Sequence, residues 1–234
     1  MKRIKPVIIL FLLVFFSVTG KDYLYQSAEK NEIARMKIYD NEYRMDFFSE
    51  KQRAEKSKLS DDCRHYLTHV ENDVSYYPVP NSTVDKALYT TFENSWMNER
   101  TFGGKRGHEG TDIMVSENKR GLFPVVSMSD GVITNIGWGD KGGYRIGITA
   151  DSGIYYYYAH LDSYSEIKKG DYIKAGQLIG FVGDSGYGPE GTVGKFPVHL
   201  HVGIYLYKED KEVSVNPYYV LKFLENKKLK YTYS

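Results

Sequence analysis

The sequence predicts a mainly β domain preceded by a helical segment, and three observations carry that expectation. All but one of the 22 glycines lie from Gly103 onward. In that same half, short runs rich in Val, Ile and Tyr alternate with glycine-containing turns, the pattern of many short strands. The stretch from Lys21 to Tyr77 is the opposite. It has no Gly and no Pro, is rich in Glu, Lys, Arg and Asp, and carries Ile33, Met36, Tyr43 and Phe47 at helix-compatible spacings.

The chain opens on Lys2, Arg3 and Lys5, followed by an uncharged run from Pro6 to Gly20 dominated by Ile, Leu, Val and Phe. A membrane-spanning helix needs about 20 apolar residues. This shorter run has the length of a secretory h-region, with Ser17, Thr19 and Gly20 as small residues where cleavage would fall. Residues 1–20 are read as a signal peptide or short membrane anchor, and either role places the remainder outside the cytoplasmic membrane. No cysteine follows closely, which excludes a lipoprotein anchor. Residues 21–80 read as a helical stalk or pro-segment ending in a linker, punctuated by Pro78 and Pro80 and continued by Asn81-Ser82-Thr83.

The expected strands are Pro124–Ser127, Gly131–Trp138, Tyr144–Ala150, Ile154–His160, Leu178–Val182 and His199–Tyr207. Ser129-Asp130-Gly131 and Lys141-Gly142-Gly143 supply tight turns between them. From Asn216 the chain reads as a short helix with a Lys-rich tail over residues 222–234.

Composition narrows the chemistry. A formal net charge of +1 gives no field that would point to nucleic acid. The single cysteine, Cys63, excludes a disulfide framework and a cysteine-rich zinc cluster. Any metal must therefore be held by histidine and carboxylate. The 22 tyrosines fit β-rich packing, with a minority left to line a groove.

Four of the six histidines fall in the β domain. His199-Leu200-His201 lies in an expected strand, where side chains at i and i+2 share a face about 6.5–7 Å apart. Both imidazoles can thus face one metal. The second cluster, His108-Glu109-Gly110-Thr111-Asp112, looks like a broken HExxH, but the surrounding glycines argue against a helix. Extended, four residues would span about 13 Å, far beyond two ligand bonds of about 2 Å. His108 and Asp112 can share a metal only if the chain turns between them, which Gly110 permits, and Glu109 is then not a general base. Three His or carboxylate ligands with a fourth position left for water is the pattern of catalytic zinc. Spacing alone leaves open which of His199 and His201 binds, and whether His160 comes near. Cys63, His65 and His69 form a weaker cluster, read as the solvated side of a helix.

With these pieces in place the sequence resembles the lysostaphin-type zinc endopeptidases of bacterial cell walls. The likeness runs from Phe102 to Leu221. It is carried by Gly107-His108-Glu109-Gly110-Thr111-Asp112-Ile113, Tyr158-Ala159-His160-Leu161, Lys169-Gly170-Asp171, Ala175-Gly176-Gln177, His199-Leu200-His201-Val202-Gly203 and Asn216-Pro217.

The resemblance implies an antiparallel β-sandwich with a sheet-floored groove, forming a zinc endopeptidase domain over residues 81–221. It implies one zinc ion per domain held by His108, Asp112 and His201, with His160 and His199 as catalytic histidines. The implied substrates are stem or cross-bridge peptides of peptidoglycan. The loop Asp184–Val198 is longer than is usual in that family and would wall the groove. The rival reading is a non-hydrolytic envelope scaffold of the same fold, which has no need for His160 and His199 together. A latent form, with Asn81 or Asn94 placed on the metal, is a third.

Overall fold

The computed structural model describes residues 61–208 and 211–234. The expected leader or anchor at residues 1–20 and residues 21–60 of the helical segment lie outside the described residues.

Helix α1 (Asp61–Asp73) carries an apolar stripe on one face. Tyr66, Val70 and Val74 recur every fourth residue, and with Leu67 they are buried in the same apolar cluster as the β domain. The helix end is fastened by polar contacts as well. Asp73 accepts hydrogen bonds from Ser152 Oγ at 2.6 Å and from the Tyr156 hydroxyl at 3.0 Å. Burial pushes the Asp73 carboxyl up, and those two hydroxyls partly offset the rise. The portion of the expected stalk that is described is therefore packed on the domain.

The remaining elements are mainly strands: β1 (Asn81–Ser82), β2 (Thr90–Phe92), β3 (Glu99–Arg100), β4 (Arg106–Gly107), β5 (Thr111–Val115), β6 (Pro124–Val126) and β7 (Gly131–Gly139). They continue with β8 (Gly143–Thr149), β9 (Tyr155–Tyr164), β10 (Tyr172–Ile173), β11 (Leu178–Val182), β12 (His199–Lys208) and β13 (Lys211–Val215), then helix α2 (Tyr218–Leu224) and β14 (Lys230–Tyr231). The main sheet runs β10-β7-β8-β9-β12-β5-β2, with every pairing antiparallel. It branches at two places. β13 pairs the end of β12, and β11 pairs the end of β9 and carries β6. The two arms share one apolar core, in which Phe123, Val125, Ile179 and Val182 meet Ile146, Ile148, Leu200 and Val202.

The six expected strands are present with ends shifted by at most a few residues. The sequence reading missed β5, which begins just where His108 to Asp112 was expected only to turn, and β13. The Lys-rich C-terminal segment is also built into the domain. β14 pairs in parallel with β1, and Tyr233 donates its hydroxyl to the Pro80 carbonyl at 2.7 Å.

Candidate metal centre and active site

The pairing of β12 with β5 builds the centre. Leu200 stands opposite Ile113 and both are fully buried, so their neighbours His199, His201 and Asp112 face the other side of the sheet. In that register His201 lies directly opposite Asp112, whereas His199 lies opposite Met114. Pairing register thus distinguishes two histidines that strand periodicity treats alike. On the far side of His201 stands Ala159 of β9, whose small side chain leaves the row open.

His108 arrives from the short connection between β4 and β5. Gly110 lets it come close for a reason different from a left-handed turn. A Cβ at Gly110 would lie 2.4 Å from His201 Cε1 and 2.6 Å from the Val202 carbonyl oxygen. The glycine is a matter of clearance between the incoming chain and β12.

The outcome is a triangle of ligand atoms. His108 Nε2, Asp112 Oδ1 and His201 Nδ1 are each 3.0 Å from the other two. Either imidazole can donate to Asp112, but with both doing so the 3.0 Å contact between the two rings has no shared proton. His108 Nδ1 lies 3.1 Å from both the Ser95 carbonyl and the Arg100 guanidinium, contacts that fix the ring with Nε2 turned into the triangle. Two imidazole nitrogens and a carboxylate oxygen gathered this closely are a donor set that could hold a metal ion. Tetrahedral bonds of about 2.0–2.1 Å would set edges of about 3.3 Å, so the donor set and its size both fit a small divalent ion. Among the described residues this is the one His, Cys, Asp and Glu grouping of that kind. Glu109 contributes no atom to it.

The support around the triangle was not legible in the sequence. Arg100 donates to Asp112 Oδ2 at 2.8 Å, holding the carboxylate with its other oxygen toward the imidazoles. Burial alone would raise the Asp112 carboxyl. Hydrogen bonds from His108 and His201, with the nearby imidazole charges, instead hold it well below the ordinary carboxylate range. His201 is pushed down by burial, against the pull of Asp112.

His160 reaches the groove through a β-bulge. Tyr144 pairs with Leu161 and Ile146 with Tyr158, so two residue steps on β8 oppose three on β9. Tyr156, Tyr158 and Leu161 are buried in the core, while Ala159 and His160 both line the groove. The extra residue is taken up by His160 itself, at φ +62°, a left-handed conformation uncommon for a side-chain-bearing residue. Its Nδ1–H donates to the Ser185 carbonyl at 2.8 Å, and its ring centre is 4.8 Å from that of His199. Burial, then the neighbouring His199 and His201, push its pKa well below that of free histidine, so it is neutral at pH 7. The His199 Nδ1–H donates to the Pro197 carbonyl at 2.7 Å, and its Nε2 stands 3.7 Å from Asp112 Oδ1. All five sequence-derived site residues thus meet at one place.

The groove beside them encloses about 810 Å³. Its floor is tyrosine. In the run Tyr155 to Tyr158 the even residues face the core and the odd ones the groove, where Tyr205 of β12 joins them. The ring of Tyr205 lies over Gly203, and that of Tyr155 over Gly147, positions where any Cβ would collide with it. One wall is the long loop, in which Phe196 packs edge-on to both His160 and His199. Tyr187 of that loop stacks on Phe102 of the β3–β4 hairpin at 4.2 Å, bridging the two walls.

Two other expectations resolve. His65 and His69 lie edge to face on α1, and the side chain of Cys63 lies outside the described residues. Asn81 is in β1 and Asn94 accepts a hydrogen bond from Asn216, so neither lies in the groove.

Comparison with known proteins agrees with this geometry. Residues 106–217 match peptidase family M23. A crystal structure from Ruminococcus gnavus, of a protein given as a glycyl-glycine endopeptidase, lytM, is 57% identical and superposes with a TM-score of 0.70, over 74% of this chain and 69% of that one. The chain belongs to peptidase family M23. The chain is also 42% identical over 151 residues to an L-Ala–D-Glu endopeptidase of Bacillus subtilis, covering 64% of this chain and 44% of the relative. It is 39% identical over 82 residues to lysostaphin of Staphylococcus simulans, 34% of this chain and 16% of the relative. The chain thus spans less than half the length of these curated relatives. Among the described residues of the M23 protein, no helix is long and apolar enough to cross a membrane.

Proposed function

We propose that this M23 domain is a zinc-dependent endopeptidase that hydrolyses peptide bonds in the stem peptides or cross-bridges of bacterial peptidoglycan. The observation that carries the reading is the convergence of three ligand atoms, from His108, Asp112 and His201, with two further imidazoles beside them. His108, Asp112 and His201 would hold one zinc ion per domain. When bound, the ion supplies Lewis acidity, polarising a peptide carbonyl and acidifying water.

The chain supplies the rest. His199 has its Nδ1 proton tied to Pro197, so Nε2 is the free base that takes a proton from the attacking water and returns it to the leaving amine. His160 is tied in the same way to Ser185. Its unprotonated Nε2 suits it to orienting water and relaying a proton rather than to donating toward an oxyanion. Phe196 and Tyr187 keep bulk water off both rings, and the tyrosine floor supports an extended substrate backbone. The named activities of the Bacillus, Ruminococcus and Staphylococcus relatives favour a cell-wall peptide as substrate. Residues 1–20, as leader or anchor, would deliver the domain outside the cytoplasmic membrane.

The test pairs zinc content with release of muropeptides from purified peptidoglycan. Wild type is expected to carry about one zinc per chain and to cleave. His108→Ala is expected to lose both properties, and His199→Ala to keep zinc while losing cleavage. Full cleavage by His199→Ala would remove it from catalysis. Wild type with neither zinc nor cleavage would leave the scaffold reading in its place.

A further inference from the structure

The groove contains two arginines that the metal centre does not use. Arg106 of β4 and Arg145 of β8 both line it. Each keeps its Nε out of water with no hydrogen-bond partner. Among the described residues neither has a carboxylate within ion-pair distance, unlike Arg100, Lys105, Arg120 and Lys174, which do. Glu212 lines the same groove, but its carboxylate accepts from the Tyr207 hydroxyl and pairs with neither arginine. Glu109 lines it too.

Both arginines are held in position by packing. Arg145 lies across Gly139, where a Cβ would come within 2.8 Å of its Nε, and the Tyr164 hydroxyl clasps its backbone at 3.1 and 3.3 Å. Arg106 stands directly opposite Arg100 in the β3–β4 hairpin, an arrangement of like charges that is unfavourable unless each finds an anion. Arg100 has Asp112, while Arg106 has only a long contact, 3.4 Å, to the Gly107 carbonyl.

Tyr157 brings the two into one place. Burial pushes its hydroxyl up, and the charges of Arg145 and, more weakly, Arg106 offset part of that rise, while all three residues line the same groove. Its ring stands edge-on to His201, 6.0 Å between centres. The two arginines and Tyr157 thus line the same groove as the ligand triangle. Guanidinium groups with unused N–H donors beside a phenol are the chemistry that binds a carboxylate.

We propose that Arg106 and Arg145, with the Tyr157 hydroxyl, form a carboxylate-binding subsite that selects peptides carrying a free carboxylate next to the scissile bond. An acidic stem peptide fits this subsite, and a neutral glycine bridge does not. The assignment of a scissile bond rests on the endopeptidase reading above, while the subsite itself is a statement about binding.

The test measures binding by fluorescence anisotropy, independently of turnover. Three labelled probes are compared: a stem-type peptide with a free α-carboxylate on its glutamyl residue, its carboxamide twin, and pentaglycine. Wild type is expected to bind the carboxylate at least about tenfold more tightly than the carboxamide, the size of one charge-assisted hydrogen bond. That preference should shrink with added salt. Arg145→Gln and Arg106→Gln should bring the ratio within about twofold of unity, Arg145→Lys should keep part of it, and Tyr157→Phe, which leaves both charges, should lower it by a few-fold. Zinc content and melting temperature identify any variant that has merely misfolded. Equal binding of all three probes by wild type, or a ratio that persists in folded Arg145→Gln and Arg106→Gln, overturns the subsite. Peptidoglycan cleavage retained in that case leaves the endopeptidase reading standing. A carboxylate preference without any cleavage keeps the subsite and removes the endopeptidase.

Discussion

Arg100 binds the Asp112 oxygen left over by the ligand triangle, and that contact decides which way the carboxylate turns. Removing the donor frees Asp112 to rotate before a metal arrives, so the cost falls on metal affinity. Arg100→Ala is expected to weaken zinc binding by about 10–100-fold, the usual penalty for losing a group that orients a ligand. Competition with a chromogenic chelator reads this directly, and excess zinc should restore cleavage. Arg100→Lys should recover only part, because an ammonium lacks the fixed geometry of a guanidinium. Unchanged affinity in Arg100→Ala would reduce the residue to a piece of groove wall. The sequence exposes the five imidazole and carboxylate residues because histidine is rare in it and because their spacing has a metal-binding meaning. Arg100 is one of 31 Lys and Arg residues and reaches in from a two-residue strand, so no local pattern separates it from solvated cations. The choice of His201 over His199 was legible only through resemblance, since it depends on the register between β12 and β5, which no single strand encodes.

At the scale of elements, the strands follow from alternation and glycine-marked turns, but the bulge in β9 does not. Tyr157-Tyr158-Ala159-His160-Leu161 reads as plain alternation, which would send His160 to the core beside Tyr158. The observed pairing shifts by one residue at that point, and the left-handed backbone of His160 absorbs the shift. This backbone makes a prediction separable from catalysis. His160→Asn and His160→Val both remove the imidazole, so both should lose cleavage. Asn tolerates the left-handed region, whereas a β-branched side chain there is strained. Val is expected to be less stable than Asn by roughly 1–2 kcal/mol, a difference of about 2–8 °C in melting temperature for a domain of this size. Calorimetry of the two variants checks it, and coincident melting curves would show that the bulge accommodates any side chain.

Over the whole molecule, the β domain is readable from composition, but its dependence on the chain before it is not. The apolar stripe Tyr66, Val70 and Val74 is present in the sequence, yet it lies among Asp61, Asp62, Arg64 and Glu71, and charge density there suggests a solvated spacer. Folding shows the stripe buried against the core that α2 and the sheet complete, with Leu67 fully enclosed. Stability and the site are thereby coupled, because β1, which follows α1, pairs with β14 and closes the same body. Leu67→Ala in the full chain is expected to cost about 2–5 kcal/mol, through lost burial and the cavity left behind. A chain begun at residue 76 removes four buried apolar side chains at about 1.5–3 kcal/mol each, a sum comparable to the entire stability of an ordinary domain. It should therefore lack a cooperative melting transition and should not cleave. A removable inhibitory pro-segment predicts the reverse, since deletion to about Asn81 would then raise activity. Thermal unfolding and peptidoglycan cleavage measured on the same truncated chain decide between them. A well-folded, more active product would make α1 an inhibitor that happens to dock, and an unfolded one makes it part of the domain's core.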